Sequence, residues 1–286
     1  GIEFLSTAYA DSIVQFGEIS PNPDDAPFDL DIDRSLVHST CACGTKRGIQ
    51  VNSKEVYVRN STIFDIFSAF QETQGLGGWN GPGPISVRNN YIEAAGMSIL
   101  FGGATPAVYN LIPSNITIIG NHLTKPESYR PIAGVPLTRV MKNNLEFKAG
   151  RNIHVEGNVM ERNWIAAQNG FSVLFTVRTK EAGFMPWGAI ENVVFTKNLI
   201  RDVQAGINLS GRDTNGYGKE SNVKVYNNII DVGTTLWQPS GIQVMNSVQG
   251  LVVENNTIVS RHVGLGFGGA PSPRVIWRNN VNEILS

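Results

Sequence analysis

The sequence predicts an all-β chain wound as a parallel β-helix, a solenoid of about nine or more turns forming a single domain over residues 1–286. Two observations predict it. A motif of the form apolar-x-apolar-x-x-Asn-x-apolar, with serine allowed for the asparagine, recurs in one register along the whole chain; "RNIHVEGNVMER" (151–162), "ENVVFTKNLIRD" (191–202) and "SNVKVYNNIID" (221–231) are three copies. Between copies runs a second alternating segment, usually led by glycine.

Taken in chain order, the registered residue is Ser35, Ser61, Asn90, Asn121, Asn158, Asn198, Asn228, Asn256 and Asn280. The steps between them are 26, 29, 31, 37, 40, 30, 28 and 24 residues. That is a solenoid period, but too irregular for helical repeats of fixed length, so the variation belongs in loops. Within a copy the apolar residues alternate, as Val223 and Val225 do before Asn228, and period 2 is the strand period. The second segment begins at Gly48, Gly96, Gly170, Gly206, Gly241 and Gly264. Each repeat therefore holds at least two strands with no helix between them. Parallel strands need a long return path, and here that path is the rest of the coil.

The asparagine suits a tight corner, because it tolerates the left-handed backbone region better than most residues that carry a side chain. The expectation is that the registered asparagines themselves adopt left-handed or bridging conformations, stacked in one file and bonded along the axis. A β-sandwich would place turns every 8–12 residues, unlike the 24–40 here. "GIEFL" opens directly on the motif of an interior turn, so the chain is expected to be a fragment lacking an N-terminal cap.

Composition narrows the function classes. With 41% hydrophobic residues the chain can bury a core, while a net charge of −1 and 16% charged residues give no basic field for nucleic acid. No apolar run reaches the roughly 18–20 residues of a membrane helix, and the first residues lack the features of a signal peptide. Cys41 and Cys43, in "CACG", are one residue apart. A bridge there is expected to be strained and a metal site would need further soft ligands, so the pair is read as buried or free thiols.

With these strands in place, the chain resembles the right-handed parallel β-helix proteins of the pectin-lyase-like superfamily. "NGPGPISVRNNYIEAAG" from Asn80, "FGGATP" from Phe101 and "NNLEFKAGRNIHVEGN" from Asn143 are similar to a bacterial group of secreted β-helix-repeat proteins. The resemblance implies a secreted or cell-surface location and an acidic polysaccharide or oligosaccharide as partner, bound in a groove along one sheet; the polar outward positions, without the apolar outer strips of a trimeric stalk, point to a monomer. It points first to a lyase cleaving a uronate-containing polysaccharide by β-elimination. The alternatives are a non-catalytic carbohydrate-binding or structural β-helix, such as a surface protein or tailspike-like stalk, and a glycoside hydrolase or uronan epimerase.

The longest repeats flank Asn158, and long insertions are where a solenoid places function. Alternation there sends Glu146 and Lys148 of "LEFKAGRN" to the outer face. Lys148 falls where chondroitin- and alginate-type lyases carry a lysine base, which makes it the expected proton-abstracting catalytic residue, with Glu146 positioning it and Arg178 or Arg212 binding a substrate carboxylate. Those lyases hold calcium on two upstream acids, and Met141 and Asn143 stand in the corresponding places, so calcium is possible but its ligands are not identifiable.

Further substrate-binding candidates come from the outward stripe of the second strand, read as Gln50, Gln71, Ser98, Glu146, Ser172, Asn208 and Gln243. Amides and hydroxyls are what a sugar groove uses. Asp213, beside Arg212, and the loop tryptophans Trp79, Trp187 and Trp237 join them, since tryptophans stack on sugar rings. Hydrolysis ranks below elimination: the single "DD", Asp24-Asp25, lies in a proline-rich turn region, and Asp213 has no evident mate. His122 and His262 are read as structural.

Overall fold

A computed structural model describes residues 1–180, 183–233 and 240–284. It is a right-handed parallel β-helix with 49% of its residues in strands. Among the described residues, three parallel sheets hold ten, nine and nine strands. Each turn contributes one strand to each sheet: sheet C leads into the asparagine corner, sheet A leaves it, and sheet B carries the glycine-led segment. In one turn these are Gly150–Glu156, Val159–Asn163 and Phe171–Thr176. The repeat thus has three strands, the corner dividing the first alternation into two. No described helix is long and apolar enough to cross a membrane.

The nine registered residues do form one file. The N–H of Ser35 bonds Ser61 Oγ, that of Ser61 bonds Asn90 Oδ1, and the pattern runs on through Asn121, Asn158, Asn198, Asn228 and Asn256 to Asn280. The conformational expectation is corrected, however. The left-handed residue is the one before each registered position: Arg34, Asn60, Asn89, Gly120, Gly157, Lys197, Asn227, Asn255 and Asn279, with φ between 51° and 66°. The turn is made one residue early, and the registered amide faces the core in line with its neighbours above and below. There its two functions, acceptor and donor, are both used.

Inside the coil the alternating positions stack like with like. Phe101, Phe147 and Phe175, in register on sheet B, lie ring over ring at 5.4 and 5.5 Å, and Phe195 closes the stack edge-on. Burying side chains of this size contributes about 1.5–3 kcal/mol each, and this file packs directly beneath the sheet B row that carries the cleft. Cys41 and Cys43 are joined by a disulfide, correcting the reading as thiols. The chain reverses between them ahead of Gly44 (φ 81°), so the two Cα atoms stand 5.1 Å apart, within the range a bridge spans.

Candidate functional site

Sheet register fixes the outer row of sheet B as Gln15, Gln50, Gly77, Leu100, Glu146, Leu174, Asn208, Gln243 and Gly266. The polar stripe read from the sequence is therefore corrected at three places. Gly77 stands where Gln71 was placed, Leu100 replaces Ser98, and Leu174 replaces Ser172. Ser172 is fully buried and donates to Asn144 Oδ1 (2.9 Å), so it is not on the binding face. Asn208 and Gln243 do share the row and are joined, Asn208 Nδ2 donating to Gln243 Oε1 at 2.7 Å.

The missing side chain at Gly77, followed by Gly78 and with Gly102 and Gly103 beside them, opens a cleft of about 300 Å³ over the sheet. Lys46, Arg47, Glu72, Trp79 and Lys148 line it. Glu146 lies next to this cleft, flanked along its row by Leu100 and Leu174. Its side chain is only 2% exposed, with Lys142 Nζ and Lys148 Nζ each 3.8 Å from its carboxylate. Lys142 also donates to Glu72 Oε1 at 2.8 Å. Burial works against the charged Glu72 carboxyl, but the hydrogen bond and charge of Lys142 overcome it and hold the group below the ordinary carboxylate value. The pair taken from the sequence as a surface pair is thus a buried triad. Lys148 lies just past the strand Leu145–Phe147, its N–H bonded to Phe101 O, where the chain turns the corner.

Four cations (Lys46, Arg47, Lys142, Lys148) and three carboxylates (Glu72, Glu146 and Asp11, which acts on Arg47) leave this region with one net positive charge. Arg47 lies over the Trp79 ring at 4.9 Å. Trp79 is largely buried on the cleft wall, its backbone N–H bonded to Asn52 Oδ1, and its ring lies beneath Arg47.

The remaining candidates lie further along the coil. Arg178 is one turn beyond Lys148, its N–H bonded to Lys148 O, and its guanidinium is 4.0 Å from Asp213. Asp213 is buried and accepts from the N–H groups of Thr179 and Thr214 and from the Thr179 hydroxyl. Burial raises its carboxyl, but those donors and Arg178 hold it below the usual range. This geometry makes Asp213 a staple between turns. Arg212 is exposed. Trp187 is half-buried, donates Nε1–H to Leu111 O and packs on Ile112, Ala149, Met185 and Ala189. Trp237 lies outside the described residues. Asp24 and Asp25 sit exposed in a single 3-10 turn.

Calcium does not fit the expected place. Met141 is buried with Ala95 and Trp164, and the Asn143 amide donates to Phe171 O at 2.7 Å. Among the described residues no three His, Cys, Asp or Glu side chains gather as a metal site.

His122 is not alone: it bonds Glu161 at 2.8 Å, Arg201 holds the other oxygen of Glu161, and Tyr91 meets the imidazole edge-on while bonding Glu93. Sequence reasoning missed both this cluster on sheet A and the cations Lys46, Arg47 and Lys142. The glycine pair Gly77-Gly78 was the available signal for the cleft, but only once the register of sheet B is known.

No family model and no curated protein matches the chain. Among solved structures it is similar to PfbA, a surface adhesin of Streptococcus pneumoniae, at 15% identity and a TM-score of 0.47. The match covers 88% of this chain and 62% of the adhesin chain.

Proposed function

We propose that this protein binds an acidic polysaccharide in the cationic cleft on sheet B, without cleaving it. The observation that carries this reading is the placement of the Glu146 carboxylate between Lys142 and Lys148. β-Elimination needs a base that can take the substrate proton, and the Lys148 amine is instead engaged in a buried ion pair with Glu146, 3.8 Å away. What the arrangement offers is fixed positive charge beside a partly desolvated floor, which suits a uronate carboxylate.

The test is calorimetric titration with pectate, alginate and chondroitin sulfate, run beside absorbance detection of unsaturated uronide. Binding that weakens steeply with salt, with no absorbance change, is the expected result. Absorbance growing with time on any of the three would replace binding by elimination, and the absence of binding to all three would overturn the reading.

A further inference from the structure

We propose a second glycan-binding surface, an aromatic platform at the corner between sheets B and C, that takes the apolar faces of pyranose rings irrespective of their charge. It goes beyond the cleft, because its contacts are with ring faces rather than carboxylates.

The platform is assembled by unequal loops. Between sheets B and C, one turn has the long connection 102–113, the next has only Lys148 and Ala149, and the two after that have the connections containing 183–188 and 211–218. The first and third loops arch over the short corner and meet there: Trp187 Nε1–H reaches Leu111 O at 3.2 Å, and Trp187 packs with Ile112, Ala149 and Met185. Trp187 in turn supports Tyr109, whose ring lies 4.8 Å from it. One loop further, Phe184 meets Tyr217 edge-on at 5.2 Å.

Despite these contacts the outer rings stay open: Tyr109 is 81% exposed, Phe184 49% and Tyr217 51%. The half-buried Trp187 ring, anchored by its hydrogen bond to Leu111 O, backs the exposed ring of Tyr109. Exposed apolar surface of this kind marks an interaction site.

Two features choose a glycan as its occupant. The same loops carry the exposed Lys180 and Arg212, and Tyr109 and Tyr217 bring phenolic hydroxyls, so a ligand with hydroxyls around an apolar face is matched better than a purely apolar one. The platform also adjoins the cleft, since Lys148 lines the cleft while Ala149, the next residue, lies under Trp187. Three steps of the coil, about 14 Å along the axis, separate the loop of Tyr109 from that of Tyr217, so an extended sugar chain leaving the cleft can run across the rings.

The experiment measures affinity for pectate and for its fully methyl-esterified form with the whole chain, comparing wild type, Tyr109→Ala/Tyr217→Ala and Lys46→Ala/Arg47→Ala, each checked for an unchanged melting profile. The platform variant is expected to lose roughly tenfold on both polymers, with little dependence on salt. The cleft variant loses only the acidic polymer. Unchanged affinity of the platform variant on both polymers overturns the platform while leaving the cleft reading standing. Binding of the esterified polymer alone, lost in the platform variant, supports the platform and sinks the cleft. No binding of either polymer overturns both, and a concentration-dependent dimer abolished by the platform variant would assign the rings to a second copy of the chain.

Discussion

The side-chain oxygen of Asn158 accepts two hydrogen bonds from Asn121, one turn away, from the backbone N–H and from the side-chain amide, both at 2.9 Å. Asn158 passes the same pattern on to Asn198 and donates as well to Ile118 O. Each rung therefore satisfies buried polar groups on two turns.

Asn158→Ala removes the acceptor of two buried N–H donors and leaves Ile118 O one donor short. An unsatisfied buried group costs about 1–3 kcal/mol, so a loss of roughly 3 kcal/mol or more is expected in urea unfolding. Asn280→Ala, at a part-exposed rung, is expected to cost less than half as much. Equal losses would mean that the ladder does not carry its stability through buried rungs.

The ladder's register was legible because the amide recurs at a fixed offset from two inward apolar residues, and that inward face is dictated locally. The left-handed residue beside it was not, because Arg34, Asn60, Gly120 and Lys197 all fill that place. Backbone sterics select against φ > 0 weakly enough that stacking neighbours can impose it on a lysine. The same contrast holds at the site. Glu146 and Lys148 stand out as a pair two residues apart on a strand, whereas their burial depends on Lys142, held by Glu72 from 70 residues earlier. Tyr91, His122 and Glu161 come together only through a stacking step whose length is set by loops.

Lys125 is wholly buried, its ammonium donating to Gly96 O and Asn143 O, and burial draws its pKa down to about 7. An unfolded lysine keeps its proton to about pH 10.4. Between these values the unfolded chain binds one more proton than the folded one, so this group makes stability rise with pH above about 7 and adds no slope below it. In Lys125→Met that contribution disappears. The difference in unfolding free energy between wild type and variant, from urea titrations at pH 6, 7.5 and 9, is expected to shift toward wild type at the higher pH by up to about 1.4 kcal/mol per unit. A constant difference would show that the lysine titrates as it does in water.

Glu220 carries the opposite sign. It is completely buried, and burial pushes its carboxyl well above the ordinary value, the Ser210 backbone opposing only in part. From about pH 4.3 upward the folded chain retains a proton that the unfolded chain has released, so this group lowers stability as pH rises until its folded value is passed. Glu220→Gln keeps the shape without the ionisation. The variant is expected to gain on wild type as pH rises above about 4 in thermal unfolding, and parallel curves for the two proteins would refute it.

Glu146→Gln separates binding from elimination in the cleft. The carboxylate is 2% exposed and stands 3.8 Å from both Lys142 and Lys148. Its neutralisation takes the site from one to two net positive charges, counting Lys46, Arg47, Lys142 and Lys148 against Glu72 and Asp11. Leaving buried ammonium groups with one partner fewer costs stability, on the order of 3 kcal/mol by analogy with other broken buried pairs, so the variant is expected to melt earlier. For a site that binds polyanions, affinity for pectate at low salt should rise several-fold and the rise should vanish at high salt. For a site that removes a proton, the same change acts on chemistry. The carboxylate is an ion-pair partner of the Lys148 amine, and removing it should let unsaturated uronide form faster than in wild type. Tighter, salt-sensitive binding with no product is the expected outcome. Product appearing in Glu146→Gln and disappearing in Glu146→Gln/Lys148→Ala would instead make Lys148 the base.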